Sequence, residues 1–184
     1  DSAILFPAPS VIAAVLALML LTDARRAARV SACGATVPPA EQDRRLWNRE
    51  LETEGRQRLE TALRRKMAGP FQIKAAISAC QMAEPAPDWP QILHLYTALL
   101  PLEPTPVVRI NHAVAMAENG LLAAALATLN ELHDALADFQ PFHSARAAVL
   151  SMAGQIDAAR RAYDQAIALT THESDRRFLV ARAG

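Results

Sequence analysis

Two segments near the end of the chain repeat a similar order of small and large side chains at a spacing of 34 residues. They are GLLAAALATLNEL, which begins at Gly120, and GQIDAARRAYDQAI, which begins at Gly154. A period of this length indicates one pair of antiparallel helices in each repeat. A single pair cannot bury its apolar face, whereas stacked pairs can, so the spacing predicts an all-α array of helical hairpins.

The order of residue types resembles the second helix of a tetratricopeptide repeat (TPR). The second segment has the expected small, aromatic and aliphatic positions at Gly154, Ala159, Tyr163, Ala166 and Ile167. The first keeps Gly120, Ala125 and Leu129, with Leu132 where alanine is usual. We attribute the small positions to close approach of the paired helices. A generic helical bundle with accidental spacing is the alternative.

This resemblance implies a right-handed, TPR-like solenoid within residues 67–184. Three degenerate repeats are predicted at about residues 73–105, 106–139 and 140–173, followed by a capping helix over 174–184. Residues 1–66 are predicted to form an N-terminal helical segment that packs on this array.

The N-terminal segment is predicted to contain two long helices. Pro9 and Ser10 favour the start of an apolar helix that extends to Arg29, because arginines suit the negative end of a helix dipole. Residues 31–39 break this helix. An amphipathic pattern then predicts helix from Glu41 to Lys66, where Gly55 could mark a joint.

Composition limits the classes of function. The 19 basic and 19 acidic residues leave no net charge that would hold nucleic acid or an anionic membrane. The apolar run from Val11 to Leu21 would span only about 16 Å at about 1.5 Å per residue, half a bilayer. A signal peptide would require a charged region before this run, and none is present.

Cys33 and Cys80 belong to no metal-type motif, so free thiols in the cytoplasm are expected, with one disulfide as the alternative.

The usual enzyme signatures GxGxxG, P-loop, GxSxG and HExxH do not occur in the sequence. Glu50, Glu52 and Glu54 indicate a solvated helix face rather than an acid–base pair. The histidines are separated by at least ten residues, at His94, His112, His133, His143 and His172. We therefore predict no catalytic residue, metal or cofactor. A helical enzyme that uses these dispersed histidines is the alternative.

Charged residues lie on both sides of the break at residues 31–39. If the flanking segments fold antiparallel, we expect Asp23 near Arg44 and Arg26 near Asp43. Such a cluster fixes the angle between two helices, or it docks another domain or protein, since arginine and tryptophan are favoured at interfaces. The candidate contacts are Asp23, Arg25, Arg26, Arg29, Gln42, Asp43, Arg44 and Trp47.

Five stretches occur in a distinctive order within residues 10–182. They are LALMLLTDARRAARV, EQDRRLWNRELETEG, GPFQIKAAISAC, DWPQILHLYTALLPLEPTPVVRINHAVAMAE and GQIDAARRAYDQAIAL. Together they resemble the C-terminal TPR-like extension of a class of extracytoplasmic-function (ECF) RNA polymerase sigma factors of the sigma-70 family. The resemblance implies a bacterial, cytoplasmic region that regulates transcription initiation through protein contacts. The polymerase-binding and promoter-binding domains would lie upstream of this chain.

The same resemblance implies the partners. They are the upstream sigma domains, the RNA polymerase core and a regulatory protein or peptide, with DNA reached only through the upstream domains and no membrane. A stand-alone TPR-like adaptor unrelated to transcription is the alternative. The first helix of each hairpin lines the concave face of such an array, and Asn111 falls where peptide-clamping repeats often keep an asparagine. The candidate concave-face contacts are Ile110, Asn111, Val114, Glu118, Ser144 and Ala148.

Overall fold

The computed structural model describes residues 8–32, 34–64 and 68–183. Within these ranges the chain is all-α, apart from an isolated bridge between Val30 and Thr36, and most helices pack on their neighbours in sequence, consistent with a helical repeat array. The described α-helices are α1 Pro9–Ala24, α2 Arg49–Leu63, α3 Pro70–Gln81, α4 Trp89–Leu99, α5 Pro106–Glu118, α6 Leu122–Glu131, α7 Gln140–Met152, α8 Ile156–Ala168 and α9 Glu173–Ala183. Short 3-10 turns lie at Arg26–Ala28, Pro39–Glu41, Arg44–Leu46 and Asp134–Leu136.

The helices belong to two compact units. The first comprises the described parts of Asp1–Arg29 and Val37–Glu103, and the second comprises those of Val30–Thr36 and Pro104–Gly184. The short segment Val30–Thr36 therefore packs with the second unit, although its neighbours in sequence on both sides belong to the first.

In the first unit, α1 packs on α2 and α3, and α3 pairs with α4. Prolines in the first turn begin α1, α3 and α4, where the missing N–H costs no helical hydrogen bond. Small side chains on α1 allow close helix packing around a few larger residues. The buried cluster contains Ala17, Leu21, Ala24, Ala28, Trp47, Leu59, Ala75, Ala79 and Met82.

The prediction of one helix from Glu41 to Lys66 is wrong at its start. Residues 39–46 form two 3-10 turns, and α2 begins only at Arg49. Asn48 fixes this start, because its Oδ1 accepts hydrogen bonds from the N–H groups of Glu50 and Leu51, both at 3.1 Å. A residue that caps a helix in this way has a non-helical backbone conformation itself, so the helix does not extend backwards through Asn48.

The prediction of a joint at Gly55 is also wrong, because α2 is continuous through this residue. A Cβ atom at Gly55 would lie 2.8 Å from Leu21 Cγ and 3.3 Å from Leu20 Cβ on α1. The glycine therefore lets two helices approach closely and does not interrupt either of them.

In the second unit, α5 pairs with α6, α7 pairs with α8, and α9 packs on α8. The first helices of the two hairpins begin at Pro106 and Gln140, 34 residues apart, in agreement with the sequence period. One buried cluster lies around α5, α6 and α7, and a second around α7, α8 and α9. Their largest members include Leu129, Leu132 and Phe142 in the first and Leu150, Tyr163 and Leu179 in the second.

The repeated glycines end the first helix of each hairpin. Gly120 has φ +79° and Gly154 has φ +71°, a backbone conformation that residues with a Cβ rarely adopt. At Gly154, its N–H donates to Ser151 O at 3.0 Å and the next N–H donates to Leu150 O at 2.9 Å, which is a Schellman motif. The corresponding bonds at Gly120 are both 2.9 Å. A Cβ at either glycine would meet no heavy atom within 4 Å, so the turn, and not close helix packing, explains them.

Candidate functional site

The charged residues that flank the break pair differently from the prediction. Asp23 forms its salt bridge with Arg26, three residues later, and Asp43 forms one with Arg45, whose Nη2 lies 2.8 Å from Asp43 Oδ2. The predicted Asp23–Arg44 and Arg26–Asp43 contacts are therefore wrong. The reason is local, since Arg26 follows the end of α1 in a 3-10 turn, and Asp43 caps the next turn by accepting the Arg45 N–H at 3.0 Å.

Trp47 and the arginines that contact its ring form what we call the arginine cluster. Trp47 itself is only 4% exposed. The guanidinium carbons of Arg44 and Arg49 lie 5.0 and 5.7 Å from the centre of its ring, within the range of cation–π attraction. Arg44 Nη1 also donates to Ala83 O at 2.7 Å. The two arginines thus cover an aromatic side chain that belongs to the core.

Glu52 joins the same cluster, which corrects the interpretation of Glu50, Glu52 and Glu54 as one solvated face. Glu52 is 8% exposed and accepts hydrogen bonds from Arg49 Nη1 at 2.9 Å and Arg56 Nη2 at 3.0 Å. The spacing of Glu52 and Arg56, four residues apart on one helix, was the available sequence signal for this pair.

Both arginines extend the cluster beyond α2. Arg56 Nη2 also lies 3.3 Å from the carbonyl oxygens of Ala79 and Met82 at the end of α3, and Arg49 Nη2 donates to Glu84 Oε1 at 3.0 Å. These carbonyls are among those that a helix terminus leaves without an internal partner. The arginines therefore fasten the first half of α2 to the end of α3.

Three of the candidate contacts are buried and serve the fold. Arg25 Nη2 donates to Ser78 Oγ at 3.3 Å, and Gln42 Nε2 donates to Val37 O at 3.1 Å, while Trp47 packs in the core. Burial, with repulsion from Arg29, lowers the pKa of Arg25 below its ordinary value. These side chains cannot provide a docking surface, because they are covered within the first unit. The candidates that reach the surface are Asp23, Arg26, Arg29, Asp43 and Arg44.

The candidate concave-face contacts also divide into a buried residue and residues that reach the surface. Ile110 is 5% exposed within the α5–α6–α7 cluster, so its prediction as a contact residue is wrong. It lies on the stripe of α5 that also carries Ala113 and Ala117 into this cluster. The other five reach the surface on α5 and α7, two helices that contact each other. Asn111 and Glu118 are exposed, and Val114, Ser144 and Ala148 are half-buried.

Two of the five histidines, His112 and His143, are buried, whereas His94 and His172 are exposed. His143 is buried beside Phe142, and its Nε2 lies 2.7 Å from Ala137 O. Burial lowers the pKa of His112 on α5.

Cys80 is a half-buried free thiol, and its burial raises the pKa of that thiol. Cys33 lies outside the described residues. Among the residues that the structure describes, no group of three or more histidine, cysteine or acidic side chains could hold a metal ion. Nor is any described helix both long enough and apolar enough to cross a membrane.

The fold thus defines an all-α protein of helical hairpins, and comparisons with known proteins add the following. Residues 2–63 match the model of a family of unknown function (DUF6596). An uncharacterized protein of Rhizobium meliloti (strain 1021) is 40% identical over 178 residues, which cover 95% of this chain and 42% of the relative. The chain therefore spans about two fifths of the length of the curated relative that it matches. No solved structure matches the chain.

Proposed function

We propose that the chain is the C-terminal regulatory and protein-interaction region of a bacterial ECF sigma factor. The observation that carries this proposal is the ordered set of five stretches within residues 10–182, which resembles such extensions. The all-α hairpin fold is compatible with it. The Rhizobium meliloti relative adds support, because more than half of its length lies outside the match and leaves room for sigma domains.

The proposed mode of action is binding without catalysis. Arrays of helical hairpins provide extended surfaces for other proteins. On this chain the exposed side chains of α5 and α7, with Asn111 among them, are the proposed surface for the sigma domains, RNA polymerase or a partner. The arginine cluster around Trp47 has a supporting role, since it holds α2 and α3 together.

Transcription in vitro from a cognate promoter tests the proposal directly. Core polymerase is supplied with the native full-length protein, or with the same protein lacking residues 1–184 of the present numbering. Higher activity after the deletion would identify a built-in inhibitor. Lost activity, with the remaining domains shown to be folded by circular dichroism, would identify a required positive element. Unchanged activity would contradict the proposal.

A pair of matched substitutions locates the contact. Asn111→Arg changes the exposed face of α5, and Gln165→Arg makes the same change from amide to guanidinium on the exposed face of α8. We expect the first to alter transcription and the second to leave it unchanged. Equal effects would remove α5 from the proposed contact surface.

Copurification distinguishes the alternative of a TPR-like adaptor. The native full-length protein, isolated from its own cells at moderate ionic strength, is expected to retain RNA polymerase. Retention of other proteins without polymerase would favour the adaptor and contradict the sigma-factor proposal.

A further inference from the structure

Helix α1 has an unusual distribution of side chains for a helix at a protein surface. Every residue from Val11 to Leu21 is apolar. A helix that is apolar all round is normally covered on all sides. Here one side packs on α2 and α3 through small residues such as Ala14 and Ala17, whereas Ile12 is 54% exposed and Met19 is 63% exposed.

The open side of α1 forms a groove with the start of α3. It has a volume of about 500 Å³ and is lined by Val11, Ile12, Val15, Leu16, Met19 and Phe71, which we call the α1 groove. The lining contains no polar side chain. Exposed apolar surface of this kind marks a place where another apolar surface packs.

Towards the end of α1 the surface beside the groove changes from apolar to charged. A second depression, of about 530 Å³, shares Leu16 and Met19 with it and continues to Arg26 and Arg29. Arg26 pairs with Asp23, whereas Arg29 forms no ion pair with any residue in the described part of the chain. The buried Arg25 adds a further positive charge nearby. This end of the groove therefore has an excess of positive charge and attracts carboxylates.

We propose that the α1 groove binds an amphipathic helix that carries carboxylates near the end facing Arg29. An amphipathic helix suits an apolar groove of this kind, because it inserts apolar side chains at intervals of three or four residues. We place this helix in the same polypeptide, outside the present 184 residues. More than half of the Rhizobium meliloti relative lies outside the match and offers such a source. Under the proposed function this helix belongs to the sigma domains, and only that assignment rests on the proposed function.

The charge pattern favours a helix over a lipid surface. Helices that lie on membranes carry lysine and arginine along the polar side opposite their apolar side. On α1 the side opposite the groove is instead buried, through residues such as Ala14 and Ala17, against α2 and α3. The positive charges stand at one end alone, which suits an ion pair with a helix of defined orientation.

Photo-crosslinking in cells tests the proposal with the native full-length polypeptide. The probe p-benzoylphenylalanine replaces Ile12 in the groove, or Ile156 on α8 as the control, because the two isoleucines are 54% and 53% exposed. We expect the Ile12 probe to form a crosslink within one polypeptide. Mass spectrometry is expected to map it to an amphipathic segment with aspartate or glutamate, outside residues 1–184. The Ile156 probe is expected to give no such product.

The charge complementarity has its own control. With the probe at Ile12, Arg29→Glu is expected to lower the crosslink yield at least threefold, whereas Arg29→Lys keeps most of it. A thermal melt of each variant checks that it remains folded. An unchanged crosslink yield in Arg29→Glu would contradict the proposed ion pair between Arg29 and the carboxylates of the docked helix.

The other products would overturn the inference. A crosslink to a second copy, to a separate protein or to lipid would assign the groove to that occupant, and a yield no higher than at Ile156 would leave it without one. The transcription test is independent of these outcomes. If the deletion changes transcription but no crosslink forms, only the docking of the helix is contradicted. If the crosslink forms but the deletion leaves transcription unchanged, only the sigma-factor function is contradicted.

Discussion

At the scale of single residues, Gly55 sets the distance between α1 and α2. A methyl group there would meet Leu21 Cγ at 2.8 Å, so we expect Gly55→Ala to destabilise the protein by about 1–3 kcal/mol. This is the reverse of the usual effect in a helix, where alanine is favoured over glycine by about 1 kcal/mol. Urea unfolding measures the difference, with Gln57→Ala on the exposed face of α2 as the control.

The clash can be tested separately from other effects. In a Leu21→Ala background the two nearest atoms, Leu21 Cγ and Cδ2, are gone and Leu20 Cβ remains at 3.3 Å, so Gly55→Ala is expected to cost much less there than in the parent protein. If the two substitutions instead add independently, the proposed contact between Gly55 and Leu21 is not the cause.

Two glutamates on α2 provide a matched comparison of a buried and an exposed ion pair. Glu52 pairs with Arg56, and Glu54 pairs with Arg58, at the same spacing on the same helix. Only Glu52 is buried and also receives Arg49, so Glu52→Gln is expected to lower the free energy of unfolding by about 1–2 kcal/mol. Glu54→Gln is expected to change it by less than about 0.5 kcal/mol. Equal losses would mean that burial does not distinguish the two pairs.

At the scale of elements, Gly154 ends α7 through its backbone conformation. Because a Cβ there meets nothing within 4 Å, Gly154→Ala is expected to cost only the strain of a positive φ, roughly 1–2 kcal/mol. Gly154→Asn is expected to cost less, since asparagine tolerates this conformation. Hydrogen exchange of the α7 and α8 amides measures both. Equal losses for alanine and asparagine would point to a contact in place of backbone strain.

The sequence predicts the helices better than the contacts between them. The 34-residue period, Pro70, Pro106 and the two turn glycines locate the hairpins, because these signals act within a few residues of the chain. The start of α2 at Asn48 was also readable as a helix cap. The role of Gly55 was not, since a close-packing glycine and a helix break look the same until the opposing helix is known.

The arginine pairs show the same limit. Arginine side chains are long, so several acidic residues lie within reach of each one, and the backbone arrangement decides among them. Asp23 and Arg26, three residues apart, pair within one turn, although the sequence also allowed pairing across the break. Arg49 with Glu84 joins residues 35 positions apart that no local pattern connects.

At the scale of the whole molecule, the segment Val30–Thr36 is part of the second unit. Thr36 N–H donates to Asp175 Oδ1 in the first turn of α9 at 3.1 Å. We expect Asp175→Ala to speed amide exchange at Thr36 and proteolytic cleavage within this segment, with little change in the overall melting temperature, because the bond is exposed. Asp157→Ala in the first turn of α8 is the control. An unchanged cleavage rate would show that other contacts hold the segment.

The path of Val30–Thr36 has a consequence for how such a chain can be inherited. The second unit takes residues from two separate parts of the gene, so one recombination breakpoint between Glu103 and Pro104 would leave the segment with the wrong half. Neither half could then be exchanged for an unrelated module without loss of native contacts. The match to the Rhizobium meliloti relative, which extends over 95% of the chain, is what joint transmission of the two units would produce.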